Sequence, residues 1–207
     1  MENAKVPVTV YAEMTPNPST MKFVANKMLL LTDDNFVFER LEEAKGYSPI
    51  AEALFNFPFV SSVFLQGNFI TVTKTDNVDW DFITMELREF IRDWIMNGKE
   101  ILVMNPNKKV NVYDTDNEVL DNEGIKKRIA PCAYDEEIIG LLNEYVRPAV
   151  ENDGGAIDYI GFENGVVTVE LKGSCAGCPS STQTLKGGIE ALLTQNLNYV
   201  TKVVALS

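Results

Sequence analysis

Two of the chain's three cysteines, Cys175 and Cys178, lie three positions apart in the stretch Lys172-Gly173-Ser174-Cys175-Ala176-Gly177-Cys178-Pro179-Ser180-Ser181. Thiols paired at this spacing support three chemistries: a dithiol that cycles with a disulfide, half of a tetrahedral zinc site, or ligands to iron and sulfide. Zinc wants four Cys or His ligands, and the chain has no histidine and no second CxxC. A thioredoxin-like oxidoreductase also runs strand, CxxC, helix. Here Gly and Ala separate the thiols, and the sequence after Cys178 has room for only one helix and one short strand, too little to complete that domain. Iron and sulfide accept thiolates alone, but a cluster takes four of them, so one chain is two short.

The flanking residues set where the thiols must sit. Val166 to Leu171 has the β-branched content and alternation of a strand, which leaves Gly173 and Gly177 in a tight loop. Pro179 is tolerated in a first helical turn, and Leu185, Ile189, Leu192 and Leu193 recur at helical spacing behind it. The pair is therefore expected at a helix N-terminus. There the helix dipole is expected to favour thiolate and hold the thiol below its free value of about 8.5.

Composition narrows the classes further. With 207 residues, 45% hydrophobic and 23% charged, the chain can build one or two cores. Its formal net charge of −12 repels phosphate backbones and anionic lipid, so no nucleic-acid or membrane partner is expected. The absence of histidine removes His-based triads, His-ligated metals and the commonest general acid-base group. Met1 to Pro7 has no apolar signal core, no apolar run approaches a membrane span, and three cysteines make no disulfide framework. A reducing, cytoplasmic setting is the expectation that follows.

In chain order, Val8 to Ala12, Met21 to Ala25 and Met28 to Leu31 read as short strands, the first two separated by the stiff turn Thr15-Pro16-Asn17-Pro18. Ser48 caps a short helix with Pro49 at its first position. Val60 to Lys74 reads as two strands around Gly67-Asn68. From Trp80, the residues Ile83, Leu87, Phe90, Ile91, Trp94 and Ile95 form one helical stripe, stopped at Asn97-Gly98. Residues 100–133 are rich in turn formers and acidic side chains, and Cys132 near their end has no partner at metal-ligand spacing.

Asp135 then reads as an N-cap for an amphipathic helix carrying Ile138, Leu142, Val146 and Val150 and bent at Pro148; Asp153-Gly154-Gly155 ends it. Glu163-Asn164-Gly165 is the strongest hairpin signal in the chain, and Tyr199 to Leu206 reads as a last strand. The hairpin at 160–169 lines up with the one at 63–72, with Asn77 where the second copy has Cys175. Either the two halves share a module, or short hairpins look alike. The fold class expected is α+β, with two small sheet-and-helix domains joined by an acidic linker: residues 1–99, linker 100–133, and residues 134–207.

Residues 138–206, with Arg147-Pro148, Asp153-Gly154-Gly155, Gly173-Ser174-Cys175-Ala176-Gly177-Cys178-Pro179-Ser180 and Thr184-Leu185-Lys186, resemble the NifU C-terminal domain. Residues 11–96, with Thr15-Pro16-Asn17-Pro18, Met21-Lys22-Phe23 and Phe69-Ile70-Thr71-Val72-Thr73-Lys74, resemble the Nfu N-terminal domain. The resemblance implies an iron-sulfur cluster scaffold or carrier, not an enzyme. Cys175 and Cys178 would be the metal and cluster ligands. The cluster would be of the 4Fe-4S type, shared between two chains in a homodimer, received from a cluster-donating scaffold and passed to recipient apo iron-sulfur proteins. The alternative on the same residues is a dithiol-disulfide oxidoreductase. Cys132 has no counterpart in either motif.

Overall fold

A computed structural model of the chain describes residues 7–104, 132–176 and 179–206. The first unit is a five-stranded sheet built from β1 (Val10–Met14), β2 (Thr20–Ala25), β3 (Asn35–Phe38), β4 (Val60–Gln66) and β5 (Phe69–Lys74), in the order β1-β2-β5-β4-β3. All its pairings are antiparallel. The β4–β5 hairpin turns through Gly67-Asn68 with Gln66 opposite Phe69, as the sequence predicts. Ser48 caps α2 (Pro49–Leu54), its Oγ accepting from the Ala51 amide at 3.3 Å. Of the stripe on α3 (Trp80–Met96), Ile83, Leu87, Ile91 and Ile95 are buried on one face of the sheet, while Phe90 and Trp94 lie at its margin. A helix α1 (Leu41–Ala44) links β3 to α2.

Met28 to Leu31 is not a strand. Its backbone is spent on the hairpin turn, where the Leu29 and Leu30 amides both donate to the Gly67 carbonyl, and Leu31 is left 95% exposed. The edge strand beside β4 is β3, four residues that follow the polar run Thr32-Asp33-Asp34.

The second unit begins with α4 (Asp135–Leu141), a π-helical turn at Leu142–Val146, and α5 (Arg147–Asn152). The wide turn answers the proline. An α-helical Pro148 would lack its amide and press on the carbonyl four residues back; instead the Arg147 amide reaches five residues back to Leu142, and Pro148 falls in the first turn of α5. Then come β6 (Gly155–Glu163), β7 (Val166–Gly173), α6 (Pro179–Asn196) and β8 (Lys202–Leu206). The β6–β7 turn has Asn164 at φ 52° and Gly165 at φ 80°, the left-handed pair a two-residue hairpin requires. β8 lies parallel to β7, so the chain must cross over, and α6 is that crossover. Ile189 and Leu193 of α6 meet Ile138, Leu142, Val146 and Val150 over the sheet. The chain is thus α+β, two sheet-and-helix domains. The expected linker lies mainly at 105–131, outside the described residues.

The face of the first sheet turned away from α3 carries Lys22, Phe64, Gln66, Phe69 and Thr71, every second residue along β2, β4 and β5. All five are buried, because the second unit lies on them. Thr71 Oγ1 donates to the Gly154 carbonyl at 2.8 Å, Lys22 Nζ to the Asn152 carbonyl at 3.1 Å, and Gln66 Nε2 to Glu151 at 2.7 Å. Ala156 packs against Phe64 and Phe69. At the rim, Lys172 bridges Asn35 and Asp158.

Candidate functional site

Cys175 sits where β7 has just ended. Gly173, at φ 65°, turns the chain out of the strand, a conformation that disfavours any side chain. The Ser174 amide then donates to the Gly154 carbonyl at 3.2 Å, and its Oγ donates to the Asp153 carbonyl. Two more bonds close the loop: the Ala176 amide to the Gly173 carbonyl at 3.1 Å, and Thr182 Oγ1, from the first turn of α6, to the Cys175 carbonyl at 3.0 Å. The position opposite the sulfur must be glycine. A Cβ on Gly155 would stand 2.8 Å from Cys175 Sγ and 2.5 Å from the Lys172 carbonyl oxygen.

The result is a thiol fixed in place but covered. Cys175 is only 6% exposed and belongs to the core of its own unit. Burial pushes the thiol above its ordinary value; the neighbouring Ser174 hydroxyl, 3.8 Å from the sulfur, opposes that shift, and the Asp153 carboxylate adds to it. The thiolate-favouring helix end expected from the sequence is therefore outweighed at Cys175 by desolvation. The space beside it is a cavity of about 50 Å³ lined by Asp153, Ser174, Cys175, Leu185 and, from the first unit, Pro16. Its predicted companion Cys178 lies outside the described residues.

Cys132 is held elsewhere. Asp135 was expected to cap α4, yet the helix begins at Asp135 itself, and the carboxylate turns back to the preceding loop. It accepts from the Cys132 amide at 2.9 Å, the Cys132 thiol at 3.0 Å and the Tyr159 hydroxyl at 2.6 Å. Tyr159 is four residues along β6 from Gly155, a separation of about 13 Å at strand rise, so the Cys132 cluster is anchored at the middle of the strand and the Cys175 loop at its start. The bond to Asp135 raises the Cys132 thiol, burial adding to the effect, because ionising it would place two negative charges together. Asp135→Asn should thus lower that pKa and speed alkylation of Cys132 at neutral pH severalfold, read by mass spectrometry in a chain with Cys175→Ser and Cys178→Ser. An unchanged or slower rate would show that the carboxylate does not control this thiol.

Comparison with known proteins places these two units. The family model described as the scaffold protein Nfu/NifU N-terminal domain matches residues 10–98, and the NifU-like domain model matches residues 138–204. The chain belongs to the Nfu family. It is 34% identical over 201 residues to NifU-like protein 4, mitochondrial, of Arabidopsis thaliana, a match covering 94% of this chain and 63% of the relative. It is 34% identical over 185 residues to the NFU1 iron-sulfur cluster scaffold homolog, mitochondrial, of Drosophila persimilis, covering 89% and 60%. NifU-like protein 5, mitochondrial, of Arabidopsis thaliana is 32% identical over 202 residues, covering 94% and 65%. The chain spans about three fifths of the length of these curated relatives.

The cytoplasmic setting expected from the sequence is overturned by these names, all of which are mitochondrial. Cysteine usage reports a reducing environment and does not say which reducing compartment it is. In this Nfu chain the structure also joins residues that the sequence left in separate domains. Asn17, in the Thr15-Pro16-Asn17-Pro18 turn of the Nfu N-terminal domain, accepts from the Ser19 amide through Oδ1 at 3.0 Å and donates through Nδ2 to the Ser174 carbonyl at 3.3 Å. The only trace of this in the sequence is a polar side chain in a proline-stiffened turn, which reads equally well as solvent-exposed.

Proposed function

We propose that this chain is an iron-sulfur cluster scaffold or carrier and not an enzyme. It takes up a cluster of the 4Fe-4S type through Cys175 and Cys178, shares it between two copies of the chain, and passes it to recipient apo iron-sulfur proteins after receiving it from a donating scaffold. The observation that carries this reading is the Cys175 loop of the NifU-like domain, which holds a soft thiol donor by its backbone, against a glycine and a serine, at the head of α6. Thiolate suits iron and sulfide. Among the described residues, no three Cys, Asp or Glu side chains converge to offer a rival metal site. The names of relatives that include iron-sulfur cluster scaffold support the same reading. In this proposal residues 134–207 bear the cluster, residues 1–99 are the cysteine-free domain, and 100–133 connect them.

The alternative on the same residues is a dithiol oxidoreductase, which would need a thiol open to attack, and Cys175 is buried. Anaerobic purification with iron and sulfide analysis tests the proposal. Coloured protein with iron and sulfide in near-equal amounts is the expected result. Colourless protein that cannot be loaded and that reduces insulin disulfides would overturn it in favour of the enzyme.

A further inference from the structure

The Nfu N-terminal domain contains no cysteine, yet three of its side chains hold the backbone around Cys175. Thr71 takes the Gly154 carbonyl, which also receives the Ser174 amide, so one oxygen ties the first sheet to the thiol loop. Asn17 takes the Ser174 carbonyl, the peptide oxygen immediately before Cys175. Lys22 takes the Asn152 carbonyl at the end of α5. Beside these, Pro16 forms a wall of the cavity at Cys175, and Phe64 lies so close to Gly173 that a Cβ there would come within 3.0 Å of its ring.

The fit is close on both sides. Gly154 stands at φ 80°, and a Cβ on it would meet Thr71 Oγ1 at 2.9 Å and Lys22 Cβ at 3.3 Å. Nothing on this sheet face needs to be polar for the first domain's own core, which lies on the opposite face against α3. Yet Lys22 and Thr71 are 7% and 1% exposed and spend their polar atoms on main-chain oxygens of the other domain. A cavity of about 50 Å³ holds a few water molecules and is far below the roughly 300 Å³ at which small-ligand pockets begin. A four-iron cluster does not enter it.

We infer that the first domain is a removable cover for the thiol loop: Asn17, Thr71 and Lys22 act as positioning residues that hold it on the loop backbone, Pro16 closes the wall beside Cys175, and the domains must part before that thiol can meet a cluster or a partner. The contact suits a reversible cover. It consists mainly of hydrogen bonds that water can replace on opening, with a small apolar centre of Phe64, Phe69, Ala156 and Val24. The biological meaning of the cover rests on the cluster-carrier reading, but its existence does not.

The test uses the full chain with Cys132→Ser and Cys178→Ser, so that Cys175 is the only thiol, and follows its alkylation by iodoacetamide by mass spectrometry at constant pH. Thr71→Val removes the hydroxyl with little change of shape, and Asn17→Ala removes the second grip. The double variant should react at least about tenfold faster at Cys175, equivalent to an opening equilibrium shifted by about 1.4 kcal/mol, while Thr71→Ser, which keeps the hydroxyl, stays at the parent rate. Thermal melting of each variant checks that the fold persists. If the double variant does not fold, Thr71→Val against Thr71→Ser decides alone. Equal rates in those two, or a parent chain that reacts as fast as urea-unfolded protein, would overturn the cover. Because alkylation needs no metal, a chain that passes this test and never binds iron would sink the carrier proposal and leave the cover standing.

Discussion

Replacing either Cys175 or Cys178 by serine should reduce reconstituted cluster to background, while Cys132→Ser should leave it nearly unchanged. Neutral hydroxyls are poor ligands for iron in a sulfide environment, so a pair reduced to one thiolate cannot hold the edge of a cluster. Cys132 is spared because its thiol is committed to Asp135 and anchored about 13 Å of strand away from the Cys175 loop. Iron, sulfide and visible absorbance after anaerobic reconstitution give the answer. Loss of cluster in Cys132→Ser, with its circular dichroism unchanged, would refute the ligand assignment. The fold should survive each change. Oxygen for sulfur at the buried Cys175 costs roughly 1–3 kcal/mol if the hydroxyl finds no partner, and the packing of Ile138, Leu142, Ile189 and Leu193 on the second sheet needs no metal.

Loading the cluster should convert a monomer into a dimer. Four thiolates are needed, each chain offers two, and the short Cys175–Cys178 spacing lets a pair serve only one edge of the cluster. Two chains would meet through the same patch, giving a two-fold arrangement with the cluster on or near its axis. Without cluster that contact is opposed. Residues 134–207 carry four Lys and Arg against ten Asp and Glu, so two such surfaces repel. The binding energy of the shared cluster is then what holds the pair, and the dimer fraction follows cluster occupancy. Anaerobic light scattering with iron analysis should find apo monomer and loaded dimer, with about four iron atoms per dimer. A stable monomer carrying four irons would exclude the shared site.

Much of the fold was legible because local and tertiary signals agree. Asn164-Gly165 demands a left-handed turn that few other pairs supply, Ser48-Pro49 is both a cap and a first helical turn, and the α3 stripe has one apolar face and one sheet to lie on. Errors arose where a segment's partner was distant. Met28 to Leu31 is more apolar than Asn35 to Phe38, so hydropathy favours it as a strand; the ladder with β4 selects the latter instead. Asp135 looked like a cap because nothing in the sequence brings Tyr159 to its carboxylate. What was legible of the Cys175 thiol is its place between β7 and a helix that begins at Pro179. Its burial was not, since Cys175 is closed in by Gly155 of its own unit and Pro16 of the other, the latter 159 positions upstream.

The grips on the thiol loop have a consequence for how such chains can be recombined. Thr71, Asn17 and Lys22 hold the carbonyl oxygens of Gly154, Ser174 and Asn152, and every residue type presents that atom. The second domain therefore contributes to these three bonds through the path of its backbone and hardly through its side chains. The strict demands are Gly154, whose place beside Thr71 and Lys22 admits no Cβ, and Gly173, where a Cβ would crowd Phe64. A foreign domain with the same loop path, both glycines and a small apolar residue at the place of Ala156 should accept this first domain in a chimera, whereas Gly154→Ala in the native chain should uncouple the two halves.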